Sequence, residues 1–140
     1  EFSDVDVKAL DMERLIWHPP LNVTGKKPSQ HYGHTATFLP GSSNDEIVAF
    51  GGYTIQQRHS NSVSVLDTCQ WVWSKPVIEG NPPKSCCYHS AMAIPGYGGC
   101  AHDTSGNVIA RVVFFGGYPN NECTNEIHIL EKIITGLTTS

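Results

Sequence analysis

The chain has 140 residues, 39% hydrophobic and 16% charged, enough to fill the core of one domain and unlike a solvated, disordered tail. A net charge of -4 supplies no clustered basic surface for nucleic acid, and no run reaches the ~20 apolar residues of a membrane span or has the make-up of a signal peptide. Thirteen glycines, nine prolines and no long apolar helical stripe point to an all-β chain of short strands and many turns, whose expected partner is another protein.

In chain order, the first marker is Val7-Lys8-Ala9-Leu10-Asp11, followed by Trp17, and then a polar loop over 18–33 that ends in Gly33-His34. Four short runs rich in β-branched and aromatic residues come next, and they predict strands a to d over 35–39, 46–50, 62–66 and 71–74. Gly51-Gly52 closes strand b, the b–c loop covers 53–60, Asp67 closes strand c, and Trp73 lies in strand d. A second long loop, 75–88, leads to His89-Ser90-Ala91. Gly96-Tyr97-Gly98-Gly99 reads as loop, and Val112-Val113-Phe114-Phe115 runs into Gly116-Gly117. The second b–c loop, 118–124, is followed by Ile127-His128-Ile129-Leu130-Glu131, and 132–135 is a poor candidate for a closing strand.

These markers repeat. The step from Leu10 to Trp17 equals that from Leu66 to Trp73, and Gly25, Pro28 and Gly33-His34-Thr35-Ala36 return 55 residues later as Gly80, Pro83 and Tyr88-His89-Ser90-Ala91. The Gly-Gly segment returns at an offset of 65, so about ten residues are inserted between Ile94 and Ile109, in a loop over 96–108. A strand ending in Phe-Gly-Gly, an apolar-Asp step, a tryptophan seven residues on and Pro-x-x-x-x-Gly-His resemble the kelch motif, and the likeness covers essentially the whole chain. Two departures are Leu10, Leu66 and Leu130 where many kelch repeats carry tyrosine, and His31 and Cys86 where many carry arginine.

The resemblance implies four-stranded antiparallel blades in an incomplete β-propeller fragment: strands c and d in 1–33, a full blade in 34–74, and strands a, b, c and a doubtful d in 88–140. Little more than two blades cannot close a ring. The chain is therefore expected to be a fragment, to associate with further copies, or to cover its open blade edges with swapped strands. Gly51, Gly52, Gly116, Gly117, Gly33, His34 and His89 are expected as scaffold, and Trp17 and Trp73 as packing between neighbouring blades.

Strand parity puts the b–c and d–a loops on one side, and the inserted loop on the other. The resemblance then implicates Tyr53, Gln56, Arg58, Tyr118, Asn120, His31 and Cys86 in partner binding, in a non-catalytic scaffold or substrate-adaptor module. A propeller belonging to a larger enzyme, or regulating a linked phosphatase or transferase domain, is the alternative. No cofactor and no metal are expected, since Cys100-Ala101-His102-Asp103 and His31-x-x-His34 fall short of zinc spacing and no nucleophile elbow or phosphate loop is present. Five cysteines without CxxC spacing fit reduced thiols in the cytoplasm.

Overall fold

The computed structural model describes residues 6–19, 21–29, 32–40, 44–54, 58–94, 108–119 and 122–134, and among these every regular element is a strand. In order they are β1 (Leu10–Asp11), β2 (Ile16–Trp17), β3 (Thr24–Gly25), β4 (Thr35–Leu39), β5 (Glu46–Phe50), β6 (Tyr53–Thr54), β7 (Arg58–His59), β8 (Val63–Asp67), β9 (Val72–Ser74), β10 (Ser90–Ile94), β11 (Val108–Phe115) and β12 (Ile127–Ile134).

The central blade is built from β4, β5, β8 and β9, each antiparallel to the next, in the predicted order a-b-c-d. Strands a and b fall on the predicted residues, and strand c is displaced by one. The turn from β8 to β9 explains the apolar-Asp step. Asp67 Oδ1 accepts from the backbone N–H groups of Cys69 and Gln70, both at 2.8 Å, and Trp71 completes the reversal at φ 57°. Asp11 does the same for Glu13 and Arg14, with Leu15 at φ 55°, so the β1–β2 hairpin is a second copy of this turn.

A fifth strand joins the central blade where a loop was expected. β3 pairs parallel with β9, Thr24 opposite Val72 and Gly25 opposite Trp73, and it covers the outer edge of strand d. Thr24 donates to the Trp71 carbonyl at 3.0 Å and Lys26 to the Trp73 carbonyl at 2.8 Å. Gly25 has a φ of +87°, and a Cβ there would drive into the Trp73 carbonyl oxygen.

β10, β11 and β12 form the next sheet, again antiparallel. β12 continues through Ile134, so residues 132–134 extend strand c and do not form a separate strand d. The expected loop over 96–108 lies outside the described residues, except for Val108, which starts β11.

The two sheets pack face to face. Leu39, Val48 and Phe50 of the central blade meet Ala110, Val112 and Phe114 of the next, with the Phe50 and Phe114 rings 4.5 Å apart between centroids. At the rim, Lys132 reaches across to Glu46 at 2.5 Å. A smaller cluster on the opposite face of the central blade joins Ala49, Leu66 and Trp73 to Val7, Val23, Ile47 and Trp71. Trp73 is 6% exposed and packs within this cluster. Trp17 does not: it is 63% exposed, because its two-stranded hairpin packs against no other strand among the described residues.

Gly25→Ala combines a left-handed backbone with a collision against main chain. It should lower the urea unfolding free energy by more than the ~1–2 kcal/mol of the conformational term alone. Gly80→Ala, at φ +88° with nothing within 4 Å of its Cβ, should cost only that term.

Candidate functional site

The side that carries the b–c and d–a loops is organised by a backbone clasp. After β5 the chain leaves the sheet at Gly51 with φ +69°, where a Cβ would stand 2.7 Å from the Cys86 carbonyl oxygen and 2.8 Å from His89 Cε1. Only glycine leaves room for that passing segment. Gly52 N–H donates to the Cys86 carbonyl at 2.8 Å, and Cys86 N–H donates to the Ser60 carbonyl at 3.1 Å. From the next blade, Tyr118 N–H donates to the Cys87 carbonyl at 2.8 Å. Residues 86 and 87 therefore stitch the two b–c loops together, and Gly116 and Gly117 flank them as Gly51 and Gly52 do.

His89 completes the clasp from within. It is 6% exposed, its Nε2 lies 2.8 Å from Thr35 Oγ1, and its Nδ1 lies 3.6 Å from Cys86 Sγ. Its ring stands edge-on to Phe50 and Phe114. Burial, with a smaller contribution from His34, lowers the His89 pKa. Burial and then the Cys87 thiol raise that of Cys86. The pair is therefore a neutral thiol beside a neutral imidazole. A cysteine nucleophile requires the opposite direction, a thiol pKa pushed down beside an imidazolium. His34, at the matching position of the other repeat, faces outward.

Aromatic rings gather next to the clasp. Tyr32 and Tyr53 exchange backbone hydrogen bonds at 3.1 and 2.8 Å, and their rings lie 5.2 Å apart. β6 and β7 form a short hairpin that brings His59 edge-on to Tyr53 at 5.4 Å, and His59 in turn lies 6.5 Å from Tyr118 of the next blade. Tyr32 and Tyr118 are both exposed. Partial desolvation, then the Tyr88 and Tyr53 hydroxyls, push the Tyr32 phenol pKa up. Tyr88 borders the group and donates its N–H to the Gly33 carbonyl at 2.7 Å.

Tyr88 stands where the other repeat has Gly33, and it keeps the glycine-like backbone, φ 58° against 66°, with its side chain 66% exposed. A bulky residue in the left-handed region costs ~1–3 kcal/mol, and an exposed ring recovers little of that in packing. Strain of this kind collects at functional surfaces.

Of the residues singled out from sequence, Tyr53 and Tyr118 are linked through His59, and Arg58 lies in β7. His31, Gln56 and Asn120 lie outside the described residues. Cys86 is a correction: implicated in partner binding from its motif position, its side chain is 5% exposed in the core, because its backbone is gripped by Gly52 and Ser60 at the two ends of the first b–c loop. Sequence reasoning passed over Tyr32, His59 and Tyr88. The available signal was Tyr88, an aromatic breaking the glycine of the repeated Gly-His step. Among the described residues no three histidine, cysteine or acidic side chains gather as a metal site. No helix there is long and apolar enough to cross a membrane.

Two packed antiparallel blades joined by Gly-Gly clasps define an open segment of a β-propeller. The chain belongs to the kelch-repeat family: the KLHDC2/KLHL20/DRC7 Kelch-repeats domain matches residues 1–135. It is 35% identical over 78 residues, 56% of its length, to dynein regulatory complex subunit 7 of Chlamydomonas reinhardtii. It is 33% identical over 130 residues, 89% of its length, to a probable serine/threonine-protein kinase of Dictyostelium discoideum. These matches span 6% and 8% of the two relatives.

The His89 pKa is lowered in the folded chain, so as the pH falls below about 6.5 the unfolded chain binds a proton that buried His89 refuses. Stability is complete above that pH and declines until the lower folded value is passed. Urea midpoints between pH 8 and pH 5 should therefore fall for the wild type, and His89→Gln should show a shallower pH slope.

Proposed function

We propose that the chain is a non-catalytic protein-interaction module whose binding face is the aromatic surface of the b–c and d–a loops. The observation that carries this reading is the run Tyr32–Tyr53–His59–Tyr118, which crosses two blades and holds exposed rings over a backbone clasp that fixes their spacing. Tyrosines of this kind present a large amphipathic area at small entropic cost, which suits a protein or peptide partner. Arg58, Gln56, Asn120 and His31 belong to the same loops in sequence and are proposed as its polar contacts with the partner. Cys86 acts through position, holding the loops together from below.

A scaffold or adaptor role in a larger assembly is supported by the likeness to a protein named as a dynein regulatory complex subunit. A second reading, a propeller attached to a catalytic domain, draws on the kinase name of the Dictyostelium relative. The neutral Cys86–His89 pair argues against a cysteine nucleophile there, so under that reading any catalysis would belong to a linked domain. A cytoplasmic location goes with the reading of the cysteines as reduced thiols; Cys69, Cys86, Cys87 and Cys123 are unpaired.

Affinity capture with the chain, compared with Tyr53→Ala, Tyr118→Ala and Arg58→Ala, tests the face. Each tyrosine substitution should weaken a captured partner by about tenfold or more, the scale of an interface hot spot, while Gln70→Ala on the opposite turn should not. Binding retained by all three loop variants would move the interaction elsewhere.

A further inference from the structure

Charge is segregated along the strands. The chain carries nine Lys and Arg residues against thirteen Asp and Glu. Three stretches frame the tyrosine row around the central blade, 18–34, 51–62 and 75–89, and they hold Lys26, Lys27, Arg58, Lys75 and Lys84. Their one acid is Glu79, so they sum to +4 in a chain whose net charge is -4. The opposite strand ends are acidic. Asp11 and Asp67 form the two Asp turns, Glu46 pairs Asp67 in register, and the Asp45 carbonyl accepts from Thr68 N–H at 3.0 Å.

The cations differ in their partners as well. Away from these loops, Lys8 pairs Asp6 at 3.1 Å, Arg111 pairs Glu131 at 2.6 Å and Lys132 pairs Glu46 at 2.5 Å. Among the described residues, Lys26, Lys27, Lys75 and Lys84 make no ion pair, and all but Lys27 are exposed. Like charges gathered without counter-ions repel one another, and a bound anion relieves that cost.

Two of these cations flank the tyrosines. Arg58 pairs Thr54 in the hairpin that carries Tyr53 and His59. Asn61 Nδ2 donates to the Pro83 carbonyl at 3.2 Å, which sets Lys84 at the exit of the same loop, two residues before the clasp. The Lys26 N–H is bonded to the Trp73 carbonyl, so Lys26 and Lys75 stand together where strand d meets its loop.

The b–c loop of the next blade limits what the anion can be. Residues 116–126 carry Glu122 and Glu126, both exposed, and no Lys or Arg. A nucleic acid is charged at every nucleotide and gains affinity with each phosphate neutralised, so a strand laid toward Tyr118 would meet those carboxylates. A peptide can set acidic residues over the central blade and uncharged ones over Tyr118.

We propose that the loop side binds a short acidic segment of a partner protein, with carboxylates on Arg58 and Lys84 and an uncharged flank on Tyr118. This rests on the reading of that side as the binding face and adds the chemical class of the partner. Complementary charge of this kind speeds encounter and selects among partners, while the tyrosine rings supply contact area.

Fluorescence anisotropy with the full 140-residue chain tests this. The probe is a labelled ten-residue peptide, blocked at both ends, with four consecutive acidic residues followed by proline and leucine. It should bind saturably at low salt, and its Gln and Asn counterpart should bind at least about tenfold more weakly. Raising the salt to about 1 M, where the screening length is ~3 Å, should weaken the acidic peptide by a similar factor. Arg58→Glu and Lys84→Glu should each cost about threefold to tenfold, and Arg14→Glu, on the opposite turn, less than about twofold. Equal binding of the acidic and neutral peptides would overturn the proposal. So would the lack of saturable binding up to millimolar acidic peptide, or tighter binding of a ten-nucleotide strand of thymidines. Any of these results, with partner capture still weakened by Tyr53→Ala, would remove the acidic class alone and leave the tyrosine face in place.

Discussion

Everything on the side of the b–c and d–a loops hangs from the passage of Cys86 and Cys87 between two pairs of glycines. The carbonyl of one residue is held by Gly52 and that of the next by Tyr118. A single extended segment thereby fixes the separation of two b–c loops that belong to different sheets. The buried side chains beneath it, His89 on Thr35 and Phe50 on Phe114, convert that local hydrogen bonding into inter-blade packing. Backbone groups that would otherwise be orphaned in a tight junction are paired across it, and for that reason the junction can be dry.

The aromatic surface inherits its geometry from this junction. Tyr53 follows Gly52 directly, Tyr118 follows Gly117, and Tyr32 is bridged to Tyr53 by two main-chain hydrogen bonds. None of the three rings depends on a long loop to hold its place. The left-handed Tyr88 adds a fourth ring at a cost in backbone strain, in a position where the repeat otherwise uses glycine. Rigid presentation of this sort limits the ordering entropy a partner must overcome on binding.

Sequence periodicity located the four strands of the central blade because each is short, bounded by glycine, proline or aspartate, and repeated at matched positions. It missed β3, since Thr24–Gly25 carries no strand pattern and becomes a strand only by lying along Trp73. It placed Trp17 between blades by analogy with Trp73. Burial of a tryptophan depends on what its sheet packs against, and that is a long-range property. Cys86 was misplaced for a related reason: motif position predicted the loop correctly, but which side chain of the loop turns inward is decided by hydrogen bonds to residues 34 and 26 positions away. The aromatic cluster was half legible, as Tyr53 and Tyr118 sit at repeat-equivalent sites, while Tyr32, His59 and Tyr88 break the repeat.

The parallel pairing of β3 with β9 has a consequence in time. Gly25 and Trp73 lie 48 residues apart, so at synthesis rates of roughly 5–20 residues per second the cover strand emerges several seconds before the strand it covers. During that interval it is an unpaired edge, the kind of segment that recruits the wrong neighbour. Its residues are Thr24 and Gly25, flanked by Lys26 and Lys27, too short, too polar and too positively charged to hold a stray strand. The segment that finishes the blade is thus built to wait.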